Sequence, residues 1–263
     1  MRALSSTERV FRGLFVTLLA LVVGGSEARA DGAPAASPAA APTPAAAPAG
    51  GGHPTVYVLL QIDAKLGDVE KMLSVHLAGL TVKMFATYRG FDSASTTGNP
   101  DAVLVIPPLL DARGKKATLQ GTREGKDTES YVLVSMDKPL DGPLAGKTIG
   151  MVDLLGRDGS QAFVAQVTKD KDFKVKRVAK VEDLVPLLEF SAAQALLVPS
   201  SMLPSLSKHT RLALKTRELP EGHVGLPAVA ILNPAVKDAV VKAFNGLDPA
   251  TKAVLGVDAW SPR

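Results

Sequence analysis

From residue 54 onward, short apolar runs alternate with polar, glycine-rich turns and with segments whose apolar residues recur at helical spacing. The apolar runs have the length of β-strands and are rich in Val, Ile and Leu. They predict strands at residues 55–60, 81–85, 101–106, 117–122, 130–135, 147–152, 174–178, 195–198, 211–216 and 228–232.

Helical spacing is found between several of these strands. Apolar residues at positions 66, 69, 72, 73 and 77 lie on one helical face, and Asp63 is placed to cap that helix. Further helices are predicted at residues 161–167, 182–190 and 247–255, and one after Asn233. Residues 90–100 are polar and rich in turn-forming residues, so we expect a loop there.

The order of these elements predicts an α/β fold with mainly parallel sheets flanked by helices, divided into two lobes. A strand, a helix and a second strand in this order imply a right-handed crossover and parallel pairing. We assign residues 54–137 and 224–263 to lobe 1, and residues 138–223 to lobe 2. In such sheets, small ligands bind beside the carboxyl ends of the strands.

Two segments precede the folded part. Residues 1–30 have a basic start, an apolar centre of ten residues and a small-x-small end at Ala28-Arg29-Ala30, which predicts a secretory signal peptide. An uncleaved anchor is the alternative, but the apolar centre is far shorter than the roughly 20 residues that span a bilayer. Residues 31–53 are nearly all Ala, Pro and Gly and predict a disordered linker.

The composition of the chain excludes several kinds of functional site. Cysteine is absent, so the chain has no disulfide, no thiol nucleophile, no thiolate metal site and no lipoprotein anchor. The formal net charge is +4, and it is near +2 without the four Arg and two Glu of residues 1–30, too little to indicate nucleic-acid binding. The four histidines, His53, His76, His209 and His223, lack metal-ligand spacing. His76 is expected in the core, and His223 near a cleft.

Six residues are candidates for ligand contact because each follows a strand or begins a helix: Asp158, Gly159, Ser160, Ser200, Ser201 and Gln61. A helix start presents free N–H groups that bind anions, and Gly159 lets the backbone approach a ligand. Ordinary capping is the alternative for the Asp and Ser residues. No nucleophile elbow or phosphate loop is present, so we expect no catalytic residue, no cofactor and no metal.

The sequence also resembles a known family. Residues 131–134 (YVLV), residues 144–147 (LAGK), residues 195–201 (ALLVPSS) and residues 255–260 (LGVDAW) occur in the order found in that family. It comprises the periplasmic solute-binding proteins of type II topology, and the resemblance is nearest to the phosphate, phosphite and phosphonate-binding branch that serves ABC transporters.

The resemblance implies a periplasmic, monomeric protein that is not an enzyme. It would close two lobes over a small anionic ligand of the phosphate or phosphonate type and deliver it to a membrane permease. The alternative is a structural or signalling module that keeps the scaffold without a transport role. The two differ in whether the cleft binds a solute.

Overall fold

The computed structural model describes residues 52–263, so the predicted signal peptide and nearly all of the predicted linker lie outside the described residues. The strands, numbered along the chain, are β1 Thr55–Leu59, β2 Thr81–Met84, β3 Ala102–Val105, β4 Leu119–Thr122, β5 Thr128–Met136, β6 Thr148–Val152, β7 Lys174–Val178, β8 Ala195–Pro199, β9 Leu214–Gly225, β10 Ala228–Ile231 and β11 Ala259–Pro262.

Helices connect most of these strands. They are α1 Leu66–His76, α2 Tyr88–Gly98, α3 Pro107–Ala112, α4 Gly156–Thr168, α5 Leu184–Glu189, α6 Leu203–Lys208, α7 Lys237–Asn245 and α8 Pro249–Val254. Short 3-10 turns precede α5, α6 and α7. In the described part of the chain, no helix has the length and apolar character needed to cross a membrane.

The strands form two sheets. The first has the order β11-β4-β10-β3-β1-β2, and the second has the order β7-β6-β8-β5-β9. The central strands β3 and β8 are buried along their whole length, because helices cover both faces where parallel strands pair. Each sheet, with its helices, is one lobe.

Pairing is more mixed than the sequence predicts. Strands β1 and β6 each pair in parallel with two neighbours, whereas the other five pairings are antiparallel. Long antiparallel pairing between β5 and β9 accounts for much of this difference. The predicted boundary at residues 137 and 138 also falls after β5, although β5 lies inside the second sheet, between β8 and β9. The chain therefore crosses between the sheets before β5, not after it.

Some local predictions were wrong. Residues 90–100 belong mostly to helix α2, which Thr87 caps by accepting a hydrogen bond from the Gly90 N–H. Helix α4 begins at Gly156, five residues before the predicted start. Asp63 does not cap α1, whose N-cap residue is Lys65. The side chain of His76 is 42% exposed and pairs with Asp248 at 3.1 Å, so His76 is not a core residue.

Candidate functional site

A cavity of about 610 Å³ lies between the two lobes, beside the carboxyl ends of β1, β3, β6 and β8. This is the position that the sequence predicts for a ligand. The first lobe contributes residues 60–64, Ile106 and residues 253–258. The second lobe contributes Glu129, Tyr131, Leu154, Pro199, Ser201 and Met202.

Two crossing segments form one wall of this cavity. The segment at residues 123–127 joins β4 to β5, and Leu226-Pro227 joins β9 to β10. They lie side by side, because the Leu226 N–H donates to the Asp127 carbonyl at 2.8 Å. The Gly121 N–H donates to the Pro227 carbonyl at the same distance. The lobes are therefore joined by a paired connection beside the cavity.

A polar network surrounds this connection. The Arg123 guanidinium donates to the Gly256 carbonyl and lies 3.5 Å from the Glu129 carboxylate. The same Glu129 oxygen accepts a hydrogen bond from the Ser201 hydroxyl at 2.7 Å. Glu129 therefore connects the crossing segment to the end of β8, and its side chain is only 17% exposed.

The charged lining is mainly acidic. Four carboxylates and one guanidinium line the cavity: Asp63, Glu124, Glu129, Asp258 and Arg123. The Asp258 carboxylate accepts a hydrogen bond from the Glu124 N–H at 2.6 Å. Arg123 neutralises one of these charges at most, so the cavity favours a positively charged group over an anion.

Tyr131 lies in the second-lobe wall of the cavity and packs edge-to-face against Phe163, with ring centroids 5.3 Å apart. Burial raises the pKa of the Tyr131 phenol above its ordinary value, and the neighbouring charge of Glu129 raises it further. The phenol is therefore protonated at physiological pH, and its O–H can donate a hydrogen bond.

Asp63 bridges the two lobes at the edge of the cleft. Its carboxylate accepts a hydrogen bond from the Ser205 hydroxyl and lies 3.6 Å from the His209 ring. Both partners come from the region of α6 in the second lobe. A neighbouring cavity of about 430 Å³ shares residues 62–64 and extends toward the Lys180–Glu182 ion pair. The cleft is thus wider than one small pocket.

The residues that we predicted to bind a ligand at a helix start do not lie at a free helix end beside the cleft. Asp158, Gly159 and Ser160 lie within the first turns of α4 and do not line the cleft cavity. Asp158 is exposed, and Ser160 is fully buried. The protein's own Asp153 carboxylate accepts from the Gly156 N–H at 3.1 Å, so an acceptor already occupies the start of this helix.

Of the remaining candidates, Gln61 and Ser201 line the cavity, whereas Ser200 does not. The Gln61 Nε2 atom is buried and has no hydrogen-bond partner among residues 52–263. His223 lies outside the cavity and contacts the Ser130 hydroxyl at 3.3 Å.

Sequence reasoning missed Arg123 and Glu129. Arg123 directly follows β4 and Glu129 is the second residue of β5, so the charged turn between these two strands was the available signal.

The sequence matches no protein-family model and no curated protein sequence. Solved structures do share its fold. The Tv2483 protein bound to L-arginine is 13% identical, with a TM-score of 0.54, over 79% of this chain and 92% of that one. A substrate-binding protein of an amino acid ABC transporter is 17% identical, with a TM-score of 0.51, over 72% and 90% of the two chains.

A third solved structure also shares the fold. The periplasmic domain of BvgS from Bordetella pertussis is 13% identical, with a TM-score of 0.51, over 76% of this chain and 42% of that one. Identities this low show the fold alone. The described chain has the two-lobed α/β fold of type II periplasmic binding proteins, which confirms the predicted fold class.

Proposed function

We propose that this protein is an exported, periplasmic solute-binding protein that closes its two lobes over a small solute carrying an amino group. It acts as a monomer and delivers the solute to a membrane permease of the ABC type. The observation that carries this proposal is the acidic cavity of about 610 Å³ between two lobes that are joined by a paired connection. Closure of hinged lobes around a ligand is a common binding mode for such an arrangement.

The charge of the lining decides the ligand class. A phosphate or phosphonate, which the sequence resemblance implies, would meet four carboxylates and only one guanidinium, and that guanidinium already contacts Glu129 and Gly256. An ammonium group would instead be attracted to Glu129, which is largely shielded from water. The lining therefore favours an amine over a phosphate-type anion.

The polar groups in the cavity suggest a second feature of the ligand. Gln61 and Tyr131 also line the cavity, and their side chains can donate hydrogen bonds to a ligand that carries acceptors. Ser201 holds the Glu129 carboxylate in position from the other side. We assign Glu129 to the amino group and Gln61 and Tyr131 to an acceptor, which together describe an amino acid or a related amine.

A second candidate function is a structural or signalling module whose cleft binds no solute. One observation favours it: the lobes already bridge the cleft edge through Asp63, Ser205 and His209. Contacts of this kind could hold the lobes together without a ligand.

Thermal unfolding of the mature chain with L-arginine, L-glutamate, putrescine, phosphate and methylphosphonate tests the proposal. We expect an amine to raise the melting temperature, since a ligand at a hundred times its Kd adds about 2.7 kcal/mol to the free energy of unfolding. Phosphate and methylphosphonate should have no effect. Stabilisation by phosphate alone would overturn the charge argument, and no stabilisation by any solute would favour the second candidate.

A pair of variants assigns the effect to the cleft. Glu129→Gln removes the carboxylate that we assign to the amino group and should weaken amine binding about tenfold or more. Asp238→Asn removes a carboxylate from the exposed face of α7, outside the cleft, and should leave binding unchanged. Equal binding by both variants would exclude Glu129 as a ligand contact.

A further inference from the structure

Most residues that line the cleft cavity are apolar, and both lobes contribute them. Those beside the strand ends are Leu60, Ile62 and Ile106 of the first lobe and Leu154, Pro199 and Met202 of the second. Four of the six are buried, whereas Ile62 and Met202 are partly buried and so retain surface that a ligand can contact. A solute between the lobes would therefore meet apolar side chains from both of them.

Glu129 is the best shielded of the four carboxylates in the lining. Its side chain is 17% exposed, whereas Asp63, Glu124 and Asp258 are exposed residues. Charges in contact with water are screened, so these three carboxylates contribute less to the selection of a ligand than Glu129 does. The Asp63 carboxylate also accepts a hydrogen bond from the Ser205 hydroxyl already. One ammonium group therefore has a shielded partner in the interior.

A second charged group on the ligand would either lie against the apolar residues or remain in water at the rim. Transfer of an unpaired charge into apolar surroundings is strongly unfavourable. An aliphatic group in the same place gains from leaving water, by about a factor of four in affinity for each methylene. Both effects favour a ligand that has one ammonium group and an apolar body.

We propose that the cleft selects aliphatic α-amino acids over basic ones. The ammonium group of the ligand contacts Glu129, and its uncharged side chain contacts Ile62 of the first lobe and Met202 of the second. This inference rests on the proposed function and narrows its substrate class. Glu129 attracts every amine, so the apolar residues determine which amines bind best. L-Arginine still binds, but more weakly, because its side chain carries a second charge.

Isothermal titration of the mature chain with L-norleucine and L-lysine tests this selectivity, because the two side chains share four carbons and differ by one ammonium group. We expect L-norleucine to bind about tenfold more tightly than L-lysine, and also more tightly than L-alanine. Equal affinities for L-norleucine and L-lysine, or a preference for L-lysine, would overturn the inference and leave the proposed amine site intact. Absence of binding by all three amino acids would overturn both.

A charged substitution in the apolar lining provides the second measurement. Met202→Glu places a carboxylate among these residues and should reverse the preference, so that L-lysine binds more tightly than L-norleucine. Met72→Glu is the matched control, because Met72 is also partly buried but lies on α1, outside the lining. This control should leave the ratio of the two affinities unchanged.

Circular dichroism establishes whether each variant is folded. A folded Met202→Glu protein that keeps the wild-type preference for L-norleucine would overturn the inference, as would a reversal of the preference in Met72→Glu. Should Met202→Glu not fold, the affinities of the wild type for the three amino acids decide.

Discussion

The ring of Tyr88 covers Gly156 so closely that a Cβ atom at Gly156 would lie 2.7 Å from the ring's Cε1 atom. Tyr88 begins α2 in the first lobe, and Gly156 begins α4 in the second. The Tyr88 N–H also donates to the Asp153 carbonyl at 3.1 Å, so backbone and side chain both join the lobes here. Gly156 has a φ of 71°, which favours glycine in addition.

Replacing this glycine should therefore loosen the contact between the lobes. We expect Gly156→Ala to lower the free energy of unfolding by about 1–3 kcal/mol, because it combines backbone strain with a steric clash. Urea unfolding measures the loss. In a Tyr88→Ala background the clash is gone and only the strain remains, so the same substitution should cost less there. An equal cost in both backgrounds would show that the Tyr88 ring does not restrict this position.

Gln61 provides a case in which stability and binding should change in opposite directions. Gln61→Met keeps the side-chain length but removes the buried Nε2 atom that has no partner in the described chain. We expect the ligand-free protein to gain about 1 kcal/mol in the free energy of unfolding, and amine binding to weaken about tenfold. Thermal unfolding with and without L-arginine measures both quantities.

The matched control is Gln194→Met. The Gln194 side chain accepts a hydrogen bond from the Thr148 N–H at 2.7 Å, so this substitution should destabilise the protein and leave ligand binding unchanged. If both glutamine variants lost stability, Gln61 would have a partner in solution, and its assignment to the ligand would be wrong.

Asp248 predicts a pH dependence of stability. Hydrogen bonds from the Thr251 hydroxyl and the Thr251 N–H lower the pKa of its carboxyl, and the nearby His76 lowers it further. A lowered pKa in the folded state means that the stabilisation is complete above the unfolded-state pKa, near about 4, and is lost as the pH falls through the folded-state pKa.

Urea unfolding of the wild type and of Asp248→Asn measures this pH-dependent stabilisation. The measurements run from about pH 2 to pH 6, a range that brackets the reference pKa of aspartate. The wild type should lose more stability than the variant toward the acidic end, because the Asn side chain does not titrate. Parallel curves for the two proteins would show that the pKa of Asp248 is the same in the folded and unfolded states.

The single tryptophan of the chain gives a direct measure of the first lobe's core. Trp260 in β11 packs edge-to-face against Phe244 of α7, with centroids 5.3 Å apart, and both residues are buried. Phe244→Ala should lower the free energy of unfolding by about 3–5 kcal/mol and shift the native tryptophan emission to longer wavelength. Phe190→Ala removes a side chain that is 80% exposed and should change stability by less than about 0.5 kcal/mol.

Strands with strong local signals could be predicted from the sequence. The runs that became β1, β3, β6 and β8 are short and rich in Val, Ile and Leu, and they are buried because they lie in the interior of the sheets. The fold class follows from such runs alternating with helices. The carboxyl ends of these strands then give the approximate location of the cleft.

Features that depend on distant contacts could not be predicted. Helix α2 contains glycine, serine and threonine at many positions, and it depends on the Thr87 cap and on the burial of Phe91. The start of α4 looks like a turn in sequence, but Asp153 accepts from its first N–H and Tyr88 covers it. The role of Glu129 depends on Arg123 and Ser201 converging from separate segments, which no local pattern encodes.

The second sheet is an insertion in the chain of the first. Its first strand begins at Thr128 and its last strand ends at Gly225, and the flanking residues Asp127 and Leu226 are hydrogen-bonded to each other at 2.8 Å. The chain thus leaves the first sheet and returns to it at almost the same position. The first sheet could consequently be closed by a direct peptide link at that point, and residues 128–225 could be exchanged as a cassette for the corresponding half of another protein of this architecture.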